Sequence, residues 1–283
     1  MSGITTRPVL SGIAAVTYTV AQLDAVRDVY TRWLRYRIVT DAAVPAELAA
    51  AWGAPGVAGH RMLTLAPESG EPVLLRFIEH PNANGWRALR THGWNVSEIL
   101  VADVDGFAAS LSESPLRIIG PPTPLQRFPM IRAMQVLGPC GECLYFTEVG
   151  EGSGLPLPRA ESFVGRVFIV VAGAPDLAQL FATYEAFDNA VDPPVATRVR
   201  VISLMNDLPP ETEHRHGLVK LADGTLIELD EYPAGTQPRA AVAGGLQTGM
   251  AVVTFTALGL ENETPRVLRG AAGELIELVE AAR

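Results

Sequence analysis

Short apolar runs separated by polar turns recur along the whole chain, and the clearest of them reads as a β-hairpin. In HGLVKLADGTLIELDEYP, from His216 to Pro233, Leu218, Val219 and Leu221 form one apolar arm, Asp223-Gly224 the turn, and Leu226, Ile227 and Leu229 the other arm. Three stretches follow the same rhythm: His60 to Pro81 with a longer turn, Gly138 to Val149, and Gly270 to Val279. Four related hairpins predict four related structural units.

What precedes each hairpin repeats as well. Ile13 to Val20 is a β-branched strand, Leu23, Val26, Val29, Tyr30, Trp33 and Leu34 recur at helical spacing, and Arg37 to Thr40 supplies a short second strand. With its hairpin, the first unit therefore reads β-α-β-β-β. The second starts with a strand from Trp94 through Val101, continues in a helix around Phe107 and Leu111, and reaches a strand at Leu116 to Ile119 before a Pro121-Pro-Thr-Pro124 loop. The third has a strand at Arg166 to Val171, a helix carrying Leu177, Leu180, Phe181 and Tyr184, and a strand at Thr197 to Ile202. The fourth begins at Met250 and passes to Arg266 with no room for a helix, which predicts a truncated unit. The Gly/Pro/Ser-rich segment EGSGLPLPRAES, residues 151 to 162, predicts a boundary between a domain of residues 1–150 and one of residues 163–283, each holding two units.

Composition narrows the partners. The chain of 283 residues is 48% hydrophobic, as a globular protein is, and contains no apolar run of the roughly 20 residues that span a bilayer. MSGITTRPVL lacks the charged-then-apolar layout of a signal peptide, so a soluble cytoplasmic protein with no membrane partner is expected. A net charge of -9 without a Lys/Arg cluster argues against nucleic acid. Cys140 and Cys143 lie in a hairpin turn and have no second pair, which predicts neither a redox couple nor a zinc site.

Repeated strand-helix-strand-strand-strand units resemble the vicinal oxygen chelate superfamily of glyoxalases, bleomycin-resistance proteins and extradiol dioxygenases. The residues that carry the resemblance are Val16-Thr-Tyr-Thr-Val20 with the helix through Tyr30, Asp223-Gly-Thr-Leu-Ile-Glu-Leu229, and Gly273-Glu-Leu-Ile-Glu-Leu278. It implies an α+β fold of tandem units forming two curled half-barrel domains, the last unit truncated. In metal-dependent members of the family, a His or Gln from first strands and a Glu from last strands hold the ion. The matching positions are Ala15, Arg76, Val96 and Tyr145 in the first half, and Arg166, Glu228, Val252 and Glu277 in the second. Imidazoles are absent from all eight, so the resemblance implies no metal and no other cofactor, with a divalent ion as the alternative.

Arg166, Glu228 and Glu277 are then the candidate catalytic group, a free Glu acting as general base and Arg166 steadying an oxyanion. Thr17, Thr19, Arg76, Glu98 and Tyr145 are the candidate substrate-binding residues, Arg76 taking Glu98 as its partner. His214 and His216 with Glu228 suggest an iron site on paper. With a two-residue turn at Asp223-Gly224, however, His216 pairs with Glu231, about 10 Å from Glu228 and on the other face. His60, His80 and His92 are read as scattered polar groups, and Trp94, Phe128 and Phe146 as core. The function expected is that of a metal-independent lyase, isomerase or hydrolase acting on a small oxygenated, partly aromatic metabolite. The alternatives are a binding or resistance protein without turnover, and a metal-dependent glyoxalase or dioxygenase. A small molecule is the expected ligand, and a homodimer is left open.

Overall fold

The computed structural model describes residues 7–81, 83, 86–240, 242–261, 264 and 266–281. Its first unit runs β1 (Val9–Val20), α1 (Leu23–Arg32), β2 (Arg37–Ala43), α2 (Ala46–Ala51), β3 (Arg61–Ala66) and β4 (Leu74–Glu79). The second runs β5 (Gly93–Val101), α3 (Val104–Ser110), β6 (Arg117–Pro124), β7 (Ile131–Leu137) and β8 (Cys143–Val149). The third comprises β9 (Val164–Ala174), α4 (Leu177–Tyr184), β10 (Val191–Arg198), α5 (Arg200–Met205), β11 (Glu213–Lys220) and β12 (Leu226–Glu231). The fourth keeps only strands among the described residues: β13 (Gly249–Leu258), β14 (Val267–Arg269) and β15 (Leu275–Glu280).

The helices form where the apolar spacing puts them. In α1, Leu23, Val26, Val29 and Tyr30 are the buried stripe. The N-termini of α3 and α4 are capped by Asp103 and Asp176, whose carboxylates accept from the N–H groups of Gly106 (2.9 Å) and Gln179 (3.0 Å). Two local expectations need correcting. Pro121 and Pro124 lie inside β6, which an edge strand tolerates because its outward side needs no N–H donor. The third unit's second strand ends at Arg198, and residues 200–205 turn into α5 instead of extending it.

The strands form two curled mixed sheets, ordered β14-β15-β13-β1-β4-β3-β2 and β10-β11-β12-β9-β5-β8-β7-β6. The first and fourth units thus share one sheet, joined by the antiparallel β1–β13 pair, and the second and third share the other, joined by β5–β9. This corrects the division at residues 151–162: neither 1–150 nor 163–283 owns a sheet, and that segment connects two strands of the same sheet. All four first strands are buried on both faces along most of their length, so burial pattern alone does not specify which will pair with which. The hairpins β3–β4 and β11–β12 do hold equivalent places, each last strand running parallel to its own first strand.

One large core lies between the outer faces of both sheets and α1, α3 and α4. The indole of Trp94 in β5 donates to the Leu275 carbonyl in β15 (2.9 Å), and Tyr18 in β1 hydrogen-bonds Ser97 in β5 (2.7 Å). Phe146 is buried in this core, whereas Phe128 is exposed, contrary to its reading as core. The concave faces hold two smaller clusters. One packs Trp52 and Val57 against Met62, Ile78, Val252 and Leu275. The other packs Val201 and Ile202 of α5 with Ala88 and Leu89 against Tyr145, Ile169 and Leu226.

Candidate functional site

Strand register fixes four pairs of residues at the centres of the two concave faces. They are Thr17 with Arg76, Glu98 with Tyr145, Val171 with Glu228, and Thr254 with Glu277. The first-strand positions inferred from sequence, Ala15, Val96 and Val252, therefore each fall two residues short, and Arg166 five short. Because units pair one with four and two with three, the first cup holds Thr17, Arg76, Thr254 and Glu277. The second holds Glu98, Tyr145, Val171 and Glu228.

The expected groupings separate accordingly. Arg76 pairs with Glu277 (3.6 Å), not with Glu98, which lies in the other sheet. Glu277 also accepts from the Thr254 hydroxyl at 2.5 Å, and Arg76 Nη1 lies 3.5 Å from that same hydroxyl. Thr17 and Thr19 line this cup, Thr19 donating to the Gln247 carbonyl (2.9 Å). Glu98 and Tyr145 line the other. Arg166 belongs to neither cup: it sits between Glu71 (3.3 Å) and Asp223 (3.4 Å), joining the β3–β4 connection to the β11–β12 turn. The proposed trio of Arg166, Glu228 and Glu277 is thus distributed over three places.

The second cup contains what the sequence reading set aside. The hairpin turn is a three-residue loop, Ala222-Asp223-Gly224, closed by the Leu221 N–H donating to the Thr225 carbonyl (3.0 Å), with Gly224 at φ +85°. That one extra residue moves the register by one, so His216 pairs with Asp230 and Leu218 with Glu228. His216 therefore shares the concave face with Glu228, its Nδ1 lying 3.9 Å from Glu228 Oε1. One ligand atom from each of His216, Glu228 and Asp230 lies within 4.8 Å of the others. Tyr232 completes the face, its ring lying over Gly173 so closely that a Cβ there would sit 2.1 Å from the ring. The signal was present in sequence, since Leu226, Glu228, Asp230 and Tyr232 alternate with buried Ile227 and Leu229.

The electrostatics of the two cups differ in kind. Arg76 neutralises Glu277, whereas among the described residues Glu98, Glu228 and Asp230 pair with no arginine or lysine. Burial, then repulsion from Glu228, pushes Glu98 up to about 8 despite the Thr147 hydroxyl donating to it at 2.5 Å. Burial, then the Glu228 and Glu98 carboxylates, holds Asp230 well above the usual carboxylate range, and Asp230 can hydrogen-bond Glu228 only with a proton between them. Apart from that proton-mediated contact of Asp230 with Glu228, both oxygens of Asp230, both ring nitrogens of His216 and the hydroxyls of Tyr145 and Tyr232 are buried without a hydrogen-bond partner. Each such orphan costs about 1–3 kcal/mol, and the second cup holds more of them than the first, where Thr17 Oγ1 and Trp52 Nε1 lack a partner.

The chain matches glyoxalase I from Zea mays at 15% identity and a TM-score of 0.63, over 95% of this chain and 92% of that one. A putative dioxygenase from Bacillus subtilis subsp. subtilis str. 168 matches at 14% identity and a TM-score of 0.59, over 95% and 85% of the two chains. The chain has the vicinal oxygen chelate fold. Neither a family model nor a curated protein matches the sequence. Whether a vicinal oxygen chelate cup can hold the ion that some members use depends on its donors. The first cup does not fit one, because a guanidinium occupies a ligand position beside Glu277. The second does fit, through the orphaned donors of His216 and Asp230 beside Glu228.

The other sequence candidates fall outside both centres. His60 and His80 stack on each other with ring centroids 5.4 Å apart, and His92 contacts Thr236 (3.2 Å). Burial raises the thiols of Cys140 and Cys143, to about 11 for Cys140, which opposes thiolate chemistry. Two surface depressions, of about 410 Å³ beside Ser11, Asp223 and Thr256 and about 240 Å³ beside His92, Asp176 and Ala272, share no lining residue with the concave clusters. No helix among the described residues is long and apolar enough to cross a membrane.

Proposed function

We propose that the second cup is the active site of an enzyme acting on a small oxygenated metabolite by proton transfer, and that the first cup is structural. The observation that carries this reading is the buried, uncompensated group of Glu98, Glu228, Asp230 and His216, against the self-neutralised Arg76–Glu277 pair. Perturbed carboxyls in a concave site are what acid–base chemistry requires. Glu98, held by Thr147 and carrying its proton at neutral pH, acts as the acid. Glu228, its neighbour on the opposite unit, acts as the base. Tyr145 and Tyr232 hydroxyls, lacking partners of their own, bind the oxygens of the substrate. The apolar wall of Val201, Ile202 and Phe168 favours a ligand with an aromatic or aliphatic body. A lyase, isomerase or hydrolase fits these groups. The metal-free expectation is retained for the first cup, where Arg76 supplies the positive charge.

The experiment is solvent-deuterium exchange by NMR, with a panel of small hydroxylated and carbonyl-containing acids as probes. Wild-type protein should exchange a carbon-bound proton of at least one probe. Glu98→Gln and Glu228→Gln should slow exchange by about 10²-fold or more, and Glu277→Gln should leave it unchanged. Full exchange in both cup-two variants sinks the reading.

A further inference from the structure

The geometry points to a divalent-cation site built from His216, Glu228 and Asp230, displaced from the centre of the fold toward β11. The inference deepens the proposed second-cup site and rests on it for the ion's chemical role. Only Glu228 stands at the last-strand position that matches Arg76, Tyr145 and Glu277 of the other units. His216 comes from the neighbouring strand, and Asp230 lies two residues further along β12.

Three observations converge on a cation. The donor atoms lie within 4.8 Å of one another, and His216 Nδ1 is 3.9 Å from Glu228 Oε1. Ligands about 2.0–2.2 Å from one ion are roughly 3–3.6 Å apart at octahedral or tetrahedral angles, so closure takes shifts of up to about 1 Å in each side chain. Asp230 is 1% exposed and, the neighbouring carboxyl of Glu228 aside, neither of its oxygens has a partner, while His216 uses neither ring nitrogen although a neutral imidazole offers one donor and one acceptor. Finally, Glu98, Glu228 and Asp230 converge with no lysine or arginine among the described residues to offset them, where the other cup has Arg76. A dication placed among the three donors satisfies the imidazole and both carboxylates at once.

The donor set also selects the ion. One imidazole with two carboxylates suits Mn²⁺, Fe²⁺ or Zn²⁺ better than Mg²⁺ or Ca²⁺, which prefer oxygen alone. Bound there, the ion supplies a Lewis acid for a carbonyl or hydroxyl oxygen of the ligand. Glu98 stays outside the coordination set and keeps its proton-transfer role, whereas Glu228 serves as a ligand when the ion is bound and as the base only without it.

Mn²⁺ itself is the probe, titrated into chelator-stripped full-length protein and followed by the electron paramagnetic resonance signal of the free aqueous ion. One Mn²⁺ per chain should bind, and its pulsed spectrum should show coupling to a single imidazole nitrogen. His216→Gln should abolish that coupling and weaken binding at least tenfold, and Asp230→Asn should weaken it at least tenfold. Glu277→Gln should leave both readings unchanged. Because His216→Gln exchanges one partly buried polar group for another, it keeps the test decisive even if Asp230→Asn perturbs folding. Wild-type protein that leaves all the Mn²⁺ free overturns the inference, as does binding with unaltered affinity and nitrogen coupling in His216→Gln. Stoichiometric Mn²⁺ without any deuterium exchange upholds the cation site and defeats the acid–base reading; exchange without Mn²⁺ binding does the reverse.

Discussion

The two cups stand at equivalent places in a duplicated architecture, yet one is electrostatically complete and the other is not. In the first, Arg76 and the Thr254 hydroxyl meet Glu277, so every charge at the centre has an answer within the chain. In the second, Glu98, Glu228 and Asp230 crowd together, and their nearest basic group is an imidazole with no hydrogen bond. A buried ion pair that is satisfied contributes specificity and little net energy, whereas a buried charge without a partner is costly. A cup that stays costly is the one shaped for something outside the chain.

That contrast is broken most directly by removing the cation of the first cup. Arg76→Leu leaves Glu277 with only a threonine hydroxyl and should destabilise the protein by about 2–4 kcal/mol, the penalty reduced somewhat because the pair is partly exposed. Adding Glu277→Leu should restore most of the loss. Urea unfolding of the two single variants and the double variant measures the coupling, and simple additivity would show that the pair is not what completes this cup.

A pH series separates what the cups share from what divides them. Glu142 precedes β8 and Glu274 precedes β15, each folded back so that its carboxyl accepts a backbone N–H two residues earlier at 2.9 Å. Burial pushes both up to about 7. A carboxyl raised in the folded state holds a proton that the unfolded chain has already lost, so its stabilisation is complete below about pH 4.5 and is lost as the pH rises through 7. Each group should lower stability by about 2–3 kcal/mol between pH 4.5 and 8. Glu142→Gln, which keeps the contacts to Cys140 N–H and Tyr30, should flatten about half of that slope in urea unfolding at pH 5 and pH 8.

The comparison is sharpened by charge removal on the other side. Asp230→Asn should stabilise the cation-free protein at neutral pH by about 1 kcal/mol, because a neutral amide replaces a buried carboxyl that must otherwise take up a proton when the chain folds. Its sign is opposite to that of Arg76→Leu. Thermal unfolding in a chelator checks this, and a lower midpoint would mean that the second cup is already compensated.

How much of this was legible in the sequence follows from the kind of information each feature needs. The hairpins, the helical stripe Leu23-Val26-Val29-Tyr30 and the truncated fourth unit are local patterns, and the vicinal oxygen chelate fold they imply is the one found. The pairing of units is not local: β1 could close on any of three other first strands that are likewise buried on both faces, and the choice of β13 sends Glu277 to Arg76 instead of Arg166. The smallest error had the largest consequence for the site. Counting the Asp223 turn as two residues rather than three turned His216 away from Glu228, since one residue of slip exchanges the faces of a strand.

An effect of similar size tests the residue that sequence placed at the heart of the chemistry. Arg166 is held between Glu71 and Asp223, at turns belonging to different sheets, and its side chain is only 16% exposed. Arg166→Met keeps the buried length of the side chain and removes the charge, leaving a partly buried Glu71 whose carboxyl burial already raises. The expected cost is about 1–2 kcal/mol of stability, since Ser69 still donates to the buried Glu71 and Asp223 can turn toward water. Deuterium exchange and Mn²⁺ affinity should be unaltered, because neither contact of Arg166 reaches Glu98, Glu228 or Asp230. A large loss of exchange with little loss of stability would return Arg166 to the active site and require the β9 start to communicate with the second cup. The geometry gives it no path, as its two carboxylate partners face the opposite end of the hairpin from His216.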